Sequence, residues 1–317
     1  MPQVLTIGNA SVDHFVTLPD NYAEAYCDIK THTDSLIIPY GAKIPIQESQ
    51  ILLGGNAANV SVSLSRLGIK VLPVIPLGID EFSHFALSLL EKEKVIIDGL
   101  NILEDVKCDV NTILRYIGER TILSIHTPKT YNIPLNIYTP YIYLSSHSTN
   151  NISLSTEVLK YIETTQSKLI FAPGNIQITG EKEILEALIT KSFLFICNKT
   201  EAYEILTKID QKEVNPVHML HRLRHFGAKN IVITDGSNGV YFLEENSEQS
   251  GHLKSIVKRE FIIDSTGAGD ATCSGIIYGL LKNKNIKDSV HIGIKNAISV
   301  LKQVGAQTGL LRPEDLK

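Results

Sequence analysis

The 317-residue chain contains no closely spaced cysteine pair: Cys27, Cys108, Cys197 and Cys273 lie far apart, and no C-x-x-C occurs. A zinc site and a disulfide framework are therefore not expected, and each thiol reads as a small buried apolar group. There is no dense block of Lys and Arg, and the net charge is −4. A nucleic-acid footprint needs a basic face, so binding to a polymer is not expected. No run of 18 apolar residues is present to cross a bilayer. The apolar run Val4–Ile7 comes without a basic stretch or a long hydrophobic core before it, so the expectation is a chain without a secretory leader, located in the cytoplasm. Also missing are G-x-x-x-x-G-K-[ST] and a G-x-G-x-x-G after the first strand, which argues against a P-loop hydrolase and a nicotinamide dehydrogenase. No internal repeat or low-complexity tract occurs.

What is present looks like an ordinary globular chain, 43% hydrophobic and 20% charged. A core of this size needs no disulfides or metals. The short apolar runs Val4–Ile7, Lys70–Ile75, Tyr141–Leu144, Leu169–Ala172, Phe193–Cys197 and Ile231–Thr234 predict buried strands. Helical patterns lie between them at Ala57–Leu67, Glu81–Lys94, Ser155–Thr164, Glu181–Ile189, Lys199–Leu206 and Pro216–Phe226. Such alternation predicts an α/β fold: a doubly wound, mostly parallel sheet flanked by helices, with ligands at the carboxyl ends of its strands. Two segments, 11–50 and 108–126, break the rhythm. The second reads as a hairpin in which Thr112–Ile117 and Thr121–Ile125 flank Gly118-Glu119-Arg120. A hairpin has no place inside a parallel sheet, so both segments are expected to form a small β-sheet lid within one domain spanning 1–317.

The stretch Asp264-Ser265-Thr266-Gly267-Ala268-Gly269-Asp270 precedes a helix with Cys273, Ile276, Ile277, Leu280 and Leu281 on one face. Free N–H groups and the positive dipole end at a helix start bind anions, and small residues let a phosphate come close. A carboxylate beside an anion site suits phosphoryl transfer, where an Asp takes the acceptor hydroxyl's proton. Taken alone, the stretch reads equally well as a Gly-rich turn with Asp270 as a helix cap. A second glycine pair, Leu53-Gly54-Gly55-Asn56-Ala57-Ala58-Asn59, also opens a helix. Asp13 follows the first strand, Asn198 and Glu201 show capping-box spacing, and Asp235-Gly236-Ser237-Asn238-Gly239 is a turn by composition.

The seven residues ending at Asp270, together with Gly54 to Gly68, resemble the two signatures of the ribokinase-like (PfkB) carbohydrate kinases. The resemblance implies an ATP-dependent phosphotransferase with Asp270 as general base and Gly267, Ala268 and Gly269 as anion hole. It implies that Asp13, Gly54, Gly55 and Asn59 hold a sugar, and that Asn198, Glu201, Thr234, Gly236, Gly239 and Asn296 serve ATP. Glu201 would reach Mg2+ through water, and Asp264 with Thr266 matches a potassium site. Ribokinases carry Lys where this chain has Asn56, which argues against ribose and, less strongly, against an acceptor that is already phosphorylated. A small sugar is expected ahead of a nucleoside, although Phe15, Tyr40, Tyr116 and Ile117 in the lid segments offer an apolar slot for a base. The retained Asp270, anion hole and Glu201 argue against a catalytically idle binding protein. The resemblance further implies a homodimer through the lid.

Overall fold

The β-branched and aromatic content of the short apolar runs favours a pleated, two-sided burial. In the computed structural model, which describes residues 1–28, 33–98, 100, 102–117, 119–125, 127–147, 152–209 and 212–316, they form one central sheet. Among the described residues it has eight strands. Six are parallel, in the spatial order Val71–Val74, Val4–Ile7, Tyr141–Leu144, Lys168–Phe171, Leu194–Asn198, Asn230–Thr234. Val240–Leu243 and Gly251–Leu253 then extend the sheet as an antiparallel edge. The sequence reading missed this edge, because its strands are short and separated by polar turns. The chain runs outward from Val4–Ile7 to Val71–Val74, then returns across it to Tyr141–Leu144. That reversal opens a crevice at the carboxyl ends of the strands.

Successive strand residues alternate between two cores. Leu5, Ile7, Leu144, Phe171 and Phe195 face one helical layer. Val4, Tyr143, Ile170, Leu194 and Val232 face the other. The six expected helices are all present within a few residues, joined by Ala268–Leu281 and Ile286–Val300. None of the helices among the described residues is long and apolar enough to cross a membrane.

The segments that broke the rhythm form separate sheets. Ser11–Thr17 pairs antiparallel with Glu48–Gly54 and parallel with Asp109–Tyr116. Asp109–Tyr116 in turn pairs antiparallel with Glu119–Ser124, the expected hairpin. Gly118 of its turn and residue 126 lie outside the described residues. Glu24–Asp28 and Thr33–Ile37 make a two-stranded ribbon; residues 29–32 between them are likewise outside. The inserted sheet is anchored by a buried ion pair, Lys129 Nζ to Asp109 Oδ1 at 2.9 Å.

Small residues bring the helices of the two glycine motifs together. A Cβ on Gly275 would lie 2.6 Å from the Cα of Gly293, so Ala268–Leu281 and Ile286–Val300 touch backbone to backbone. On the other side, Ser274 Oγ donates to Ser63 Oγ at 2.7 Å, joining Ala268–Leu281 to the helix Asn56–Arg66. Substituting Gly275→Val should force these backbones apart and destabilise the protein by about 1–3 kcal/mol, as overpacking does. Calorimetry showing an unchanged melting temperature would contradict this packing.

Candidate active site

Gly267 begins the helix Ala268–Leu281 in the left-handed region, at φ 76°, and a Cβ there would strike Ala306 at 2.3 Å. Only glycine is comfortable in that position. Ala268 N donates to Ser265 O at 3.4 Å. Among the described residues no carbonyl or side chain takes the N–H groups of Gly269 and Asp270, as expected for a helix's first turn. Over Gly269 the space is open, with nothing within 4 Å of an added Cβ. The protein's own packing thus does not demand glycine there, while close approach of a ligand would.

Asp270 sits in that first turn. Its residue surface is partly exposed but its carboxyl group is enclosed, and this desolvation pushes the carboxyl up to about 7. Asn59 Nδ2 donates to Asp270 Oδ2 at 2.8 Å and works in the opposite direction, while the charge of Asp13 adds to the rise. The side chain does not cap its own helix. Its task must therefore lie outside the helix.

Asp13 faces this carboxylate from the inserted sheet. Both of its hydrogen bonds fall on Oδ1, from Ser11 Oγ and Asn111 Nδ2, each at 2.8 Å. Burial raises its pKa, opposed by those two donors, and the charge of Asp264 raises it further. Gly54 is glycine because Asp13 Oδ2 lies 2.0 Å from where a Cβ would stand. Gly55 is the N-cap of the helix Asn56–Arg66, and one turn on, Asn59 points to Asp270. Asp13, Gly54, Gly55, Asn59 and Asp270 thus meet at one place, at the carboxyl end of the central strands.

Residues directly opposite in a sheet share a face, so pairing resolves the inner side of the inserted sheet into rows. Leu52, Asp13, Asn111 and Ser124 form a mostly polar row. The next row, Gln50, Phe15, Ile113 and Ile122, is apolar but for Gln50. Of the four residues expected to form an apolar slot, Phe15 is on this face beside Asp13, while Ile117, past the strand end, lines a separate pocket with Thr17, Arg115 and Asp264. Tyr116 packs with Val16 on the opposite face, and Tyr40 and Ile117 are exposed. Their chain positions were suggestive, but strand alternation decides the direction of each side chain.

A pocket opens beside Gly269. Thr234, Gly236 and Gly239 line one wall, and Ala268, Gly269 and Thr272 the floor. Its apolar side comes from Val240, Val257, Ile262, Ile294, Ile298 and Leu301. Asn296 does not reach it. Its amide donates to Ala271 O at 2.9 Å and Ser63 Oγ at 3.1 Å, and its oxygen accepts from Leu311 N at 3.0 Å. Helical geometry explains the correction: residues 294, 297, 298 and 301 share the pocket face, and 296 points into the core.

Asn198 and Glu201 form the capping box, with Asn198 Oδ1 accepting from Glu201 N and Glu201 Oε2 accepting from Asn198 N. Desolvation raises the Glu201 carboxyl above its usual range. Asp264 Oδ1 accepts from Thr266 N and Oγ1, and Oδ2 from Gly305 N, so these side chains tie the loop before Gly267 to Gly305. No group of three or more His, Cys, Asp or Glu gathers around a metal position among the described residues. Sequence reasoning missed Asn111, Gln307 and the apolar pocket wall. Asn111 had only a weak signal, an amide between Val110 and the run Thr112 to Leu114 in a hairpin that carries other polar residues.

Comparison with known proteins bears on the family and the fold. The family model for the pfkB family carbohydrate kinases matches residues 22–312. A cytidine kinase of Thermococcus kodakarensis is 26% identical over 287 residues, covering 86% of this chain and 94% of that one. A ribokinase structure from Thermotoga maritima superposes with a TM-score of 0.80 at 17% identity, over 100% of this chain and 98% of that one. A nucleoside kinase structure from Methanocaldococcus jannaschii gives a TM-score of 0.77 at 18% identity, over 100% and 97%. At these identities the two structures show a shared fold.

The raised pKa of Asp270 carries a sign. The folded state holds this proton more tightly than the unfolded state, so ionisation favours unfolding. The cost is absent below the unfolded value of 3.8, grows with pH, and is complete above about 7. Asp270→Asn should therefore raise the melting temperature at about pH 8 and lose that advantage at about pH 4. A melting temperature that falls at pH 8 would show that the carboxylate is not strained by burial.

Proposed function

We propose that this chain, which belongs to the pfkB family of carbohydrate kinases and so to the ATP-dependent phosphotransferases, moves the γ-phosphoryl group of ATP to a hydroxyl of a small sugar. The observation that carries the reading is Asp270 itself: an enclosed carboxyl raised to about 7, in the first turn of a helix where the amides of Gly269 and Asp270 have no partner among the described residues and the space over Gly269 is open. Asp270 takes the hydroxyl proton as the new O–P bond forms and the bond to the β-phosphate oxygen breaks, with ADP leaving. The amides at Gly267, Ala268 and Gly269 stabilise charge on the transferring group. Asp13 Oδ2 accepts hydrogen bonds from hydroxyls of the acceptor, beside Gly54, Gly55 and Asn59.

Thr234, Gly236 and Gly239 would border the nucleotide's phosphates and ribose, with the adenine against the apolar wall formed by Ile294, Ile298 and Leu301. Mg2+ would be held through water by Glu201 and would neutralise phosphate charge; a single partly buried carboxylate fits an ion that keeps several waters. A potassium ion would be held near Asp264 and Thr266, whose side chains are joined to each other and, through Asp264, to Gly305 N. The inserted sheet serves as the lid over the acceptor, as an insertion within a single domain. Its outer face exposes Ile51 and Leu123, at 51% and 56%, in one row with His14 and Thr112, and this supports a homodimer through the lid.

The row Phe15, Ile113 and Ile122, one step from Asp13, favours a second reading in which the acceptor is a nucleoside whose base lies against that row. The cytidine kinase among the relatives supports it as well. A coupled ADP-release screen over hexoses, pentoses, sugar acids, sugar phosphates and nucleosides separates the two. Turnover confined to nucleosides would overturn the sugar reading.

Asp270→Ala should lower kcat by ~100-fold or more with near-normal ATP binding, as loss of a general base does. The wild-type kcat/KM profile should fall on the acid side with an apparent pKa near 7, since only ionised Asp270 accepts the proton. Activity of the alanine variant near wild type would sink the assignment. Asp13→Ala should raise the KM for the acceptor far more than that for ATP; equal changes would remove Asp13 from the acceptor site.

A further inference from the structure

The helix Asn56–Arg66 carries Asn59 and Arg66 seven residues apart, two turns along one face and roughly 10 Å in rise. Both reach the same residue, Gln307, in the loop after the helix Ile286–Val300. Arg66 Nη1 donates to the backbone oxygen of Gln307, and Arg66 is itself held by Glu93 through Nε at 2.8 Å and Nη2 at 2.7 Å. The side chain of Gln307 turns back, and its Nε2 donates to Asn59 Oδ1 at 2.9 Å. Asn59 Nδ2 then donates to Asp270 Oδ2 at 2.8 Å. The loop is fixed from a second side as well, because Gly305 N donates to Asp264 Oδ2 at 2.9 Å.

An asparagine amide has a donor end and an acceptor end, and rotation by half a turn exchanges them. With its oxygen toward Asp270, Asn59 would repel the ionised carboxylate and favour the protonated form. With its nitrogen there, it favours the ionised form, which is the one able to take a proton. Nothing in Asn59 selects between these states. The selection comes from its partners: ionised Asp270 draws the N–H, and at the other end Gln307 presents a donor that holds the oxygen there.

We propose that Gln307 is a positioning residue for the phosphoryl transfer: it fixes the amide of Asn59 so that an N–H, and not the oxygen, faces Asp270. The proposal rests on Asp270 being the general base. The other charged or titratable groups facing Asp270 are Asp13 from the inserted sheet, Cys273 on its own helix and Tyr143 from the central sheet, with Glu201 near the last two. Among the described residues none of them is hydrogen-bonded to Gln307, so a change at 307 leaves their effects in place.

The test is the pH dependence of kcat/KM for wild type, Gln307→Met, Gln307→Glu and Asp270→Asn, with ADP affinity as the check of folding. Methionine keeps the length of glutamine but has no donor. Losing the orientation of a hydrogen bond to a charged group is expected to raise the acid limb by roughly one pH unit, hence ~10-fold lower activity below the limb and near wild-type activity at high pH. Glutamate accepts only, draws the Asn59 nitrogen to itself and adds its own negative charge, so its limb should lie higher still. A uniform loss at every pH with an unmoved limb would overturn the proposal. Loss of ADP binding in both variants would overturn it too, because Gln307 would then be holding the fold. Failure of the underlying reading looks different: Asp270→Asn would keep wild-type turnover and the wild-type limb.

Discussion

A carboxylate removed from water at the start of a helix is the interaction on which the site depends. Enclosure raises the pKa of Asp270 to about 7, and Asp13 adds repulsion. The donor from Asn59 and the positive end of the helix dipole work against that rise. The outcome is a carboxyl that is ionised only in part near neutrality, which is what the proposed role as general base would require. The same enclosure makes the folded state less stable when the charge is present. Stability and the proposed chemistry therefore pull in opposite directions at this one residue.

The rest of the fold can be read as what holds that carboxylate in place. Its helix is in backbone contact with Ile286–Val300 through Gly275 and Gly293, and is bonded to Asn56–Arg66 through Ser274 and Ser63. Asn296, buried among these helices, bonds to two of them and to the chain at Leu311. The two glycine motifs lie about two hundred residues apart in sequence, yet the helices that follow them are neighbours. The inserted sheet brings the opposite wall. There Asn111 and Ser11 orient Asp13, and the absence of a side chain at Gly54 leaves room for its carboxylate.

Much of this was legible in the residues. The six parallel strands and six helices follow from apolar runs of strand length separated by helical periodicity, and each lies within a few residues of its expected position. The antiparallel edge Val240–Leu243 and Gly251–Leu253 was not legible, because three or four residues are too few to show a period. Asn198 and Glu201 were readable as a capping box, which they are, since that motif is closed within one turn. That Asn296 faces the core was not legible for the opposite reason: its partners come from three other segments.

The sequence by itself determined the class of fold and the two motifs at helix starts, because those depend on periodicity and on neighbours within a few residues. It also determined that a carboxylate, Asp270, would stand beside free amides. Only the tertiary structure decided which way each side chain points across the inserted sheet, that Phe15 and not Tyr40 shares a face with Asp13, and that the pocket wall comes from Ile294, Ile298 and Leu301. It alone joined Gln307 to Asn59 and Asp270. Hydrogen bonds between residues 248 and 211 positions apart have no periodicity to announce them, and burial, which raises the Asp270 carboxyl, exists only once the chain has closed around it.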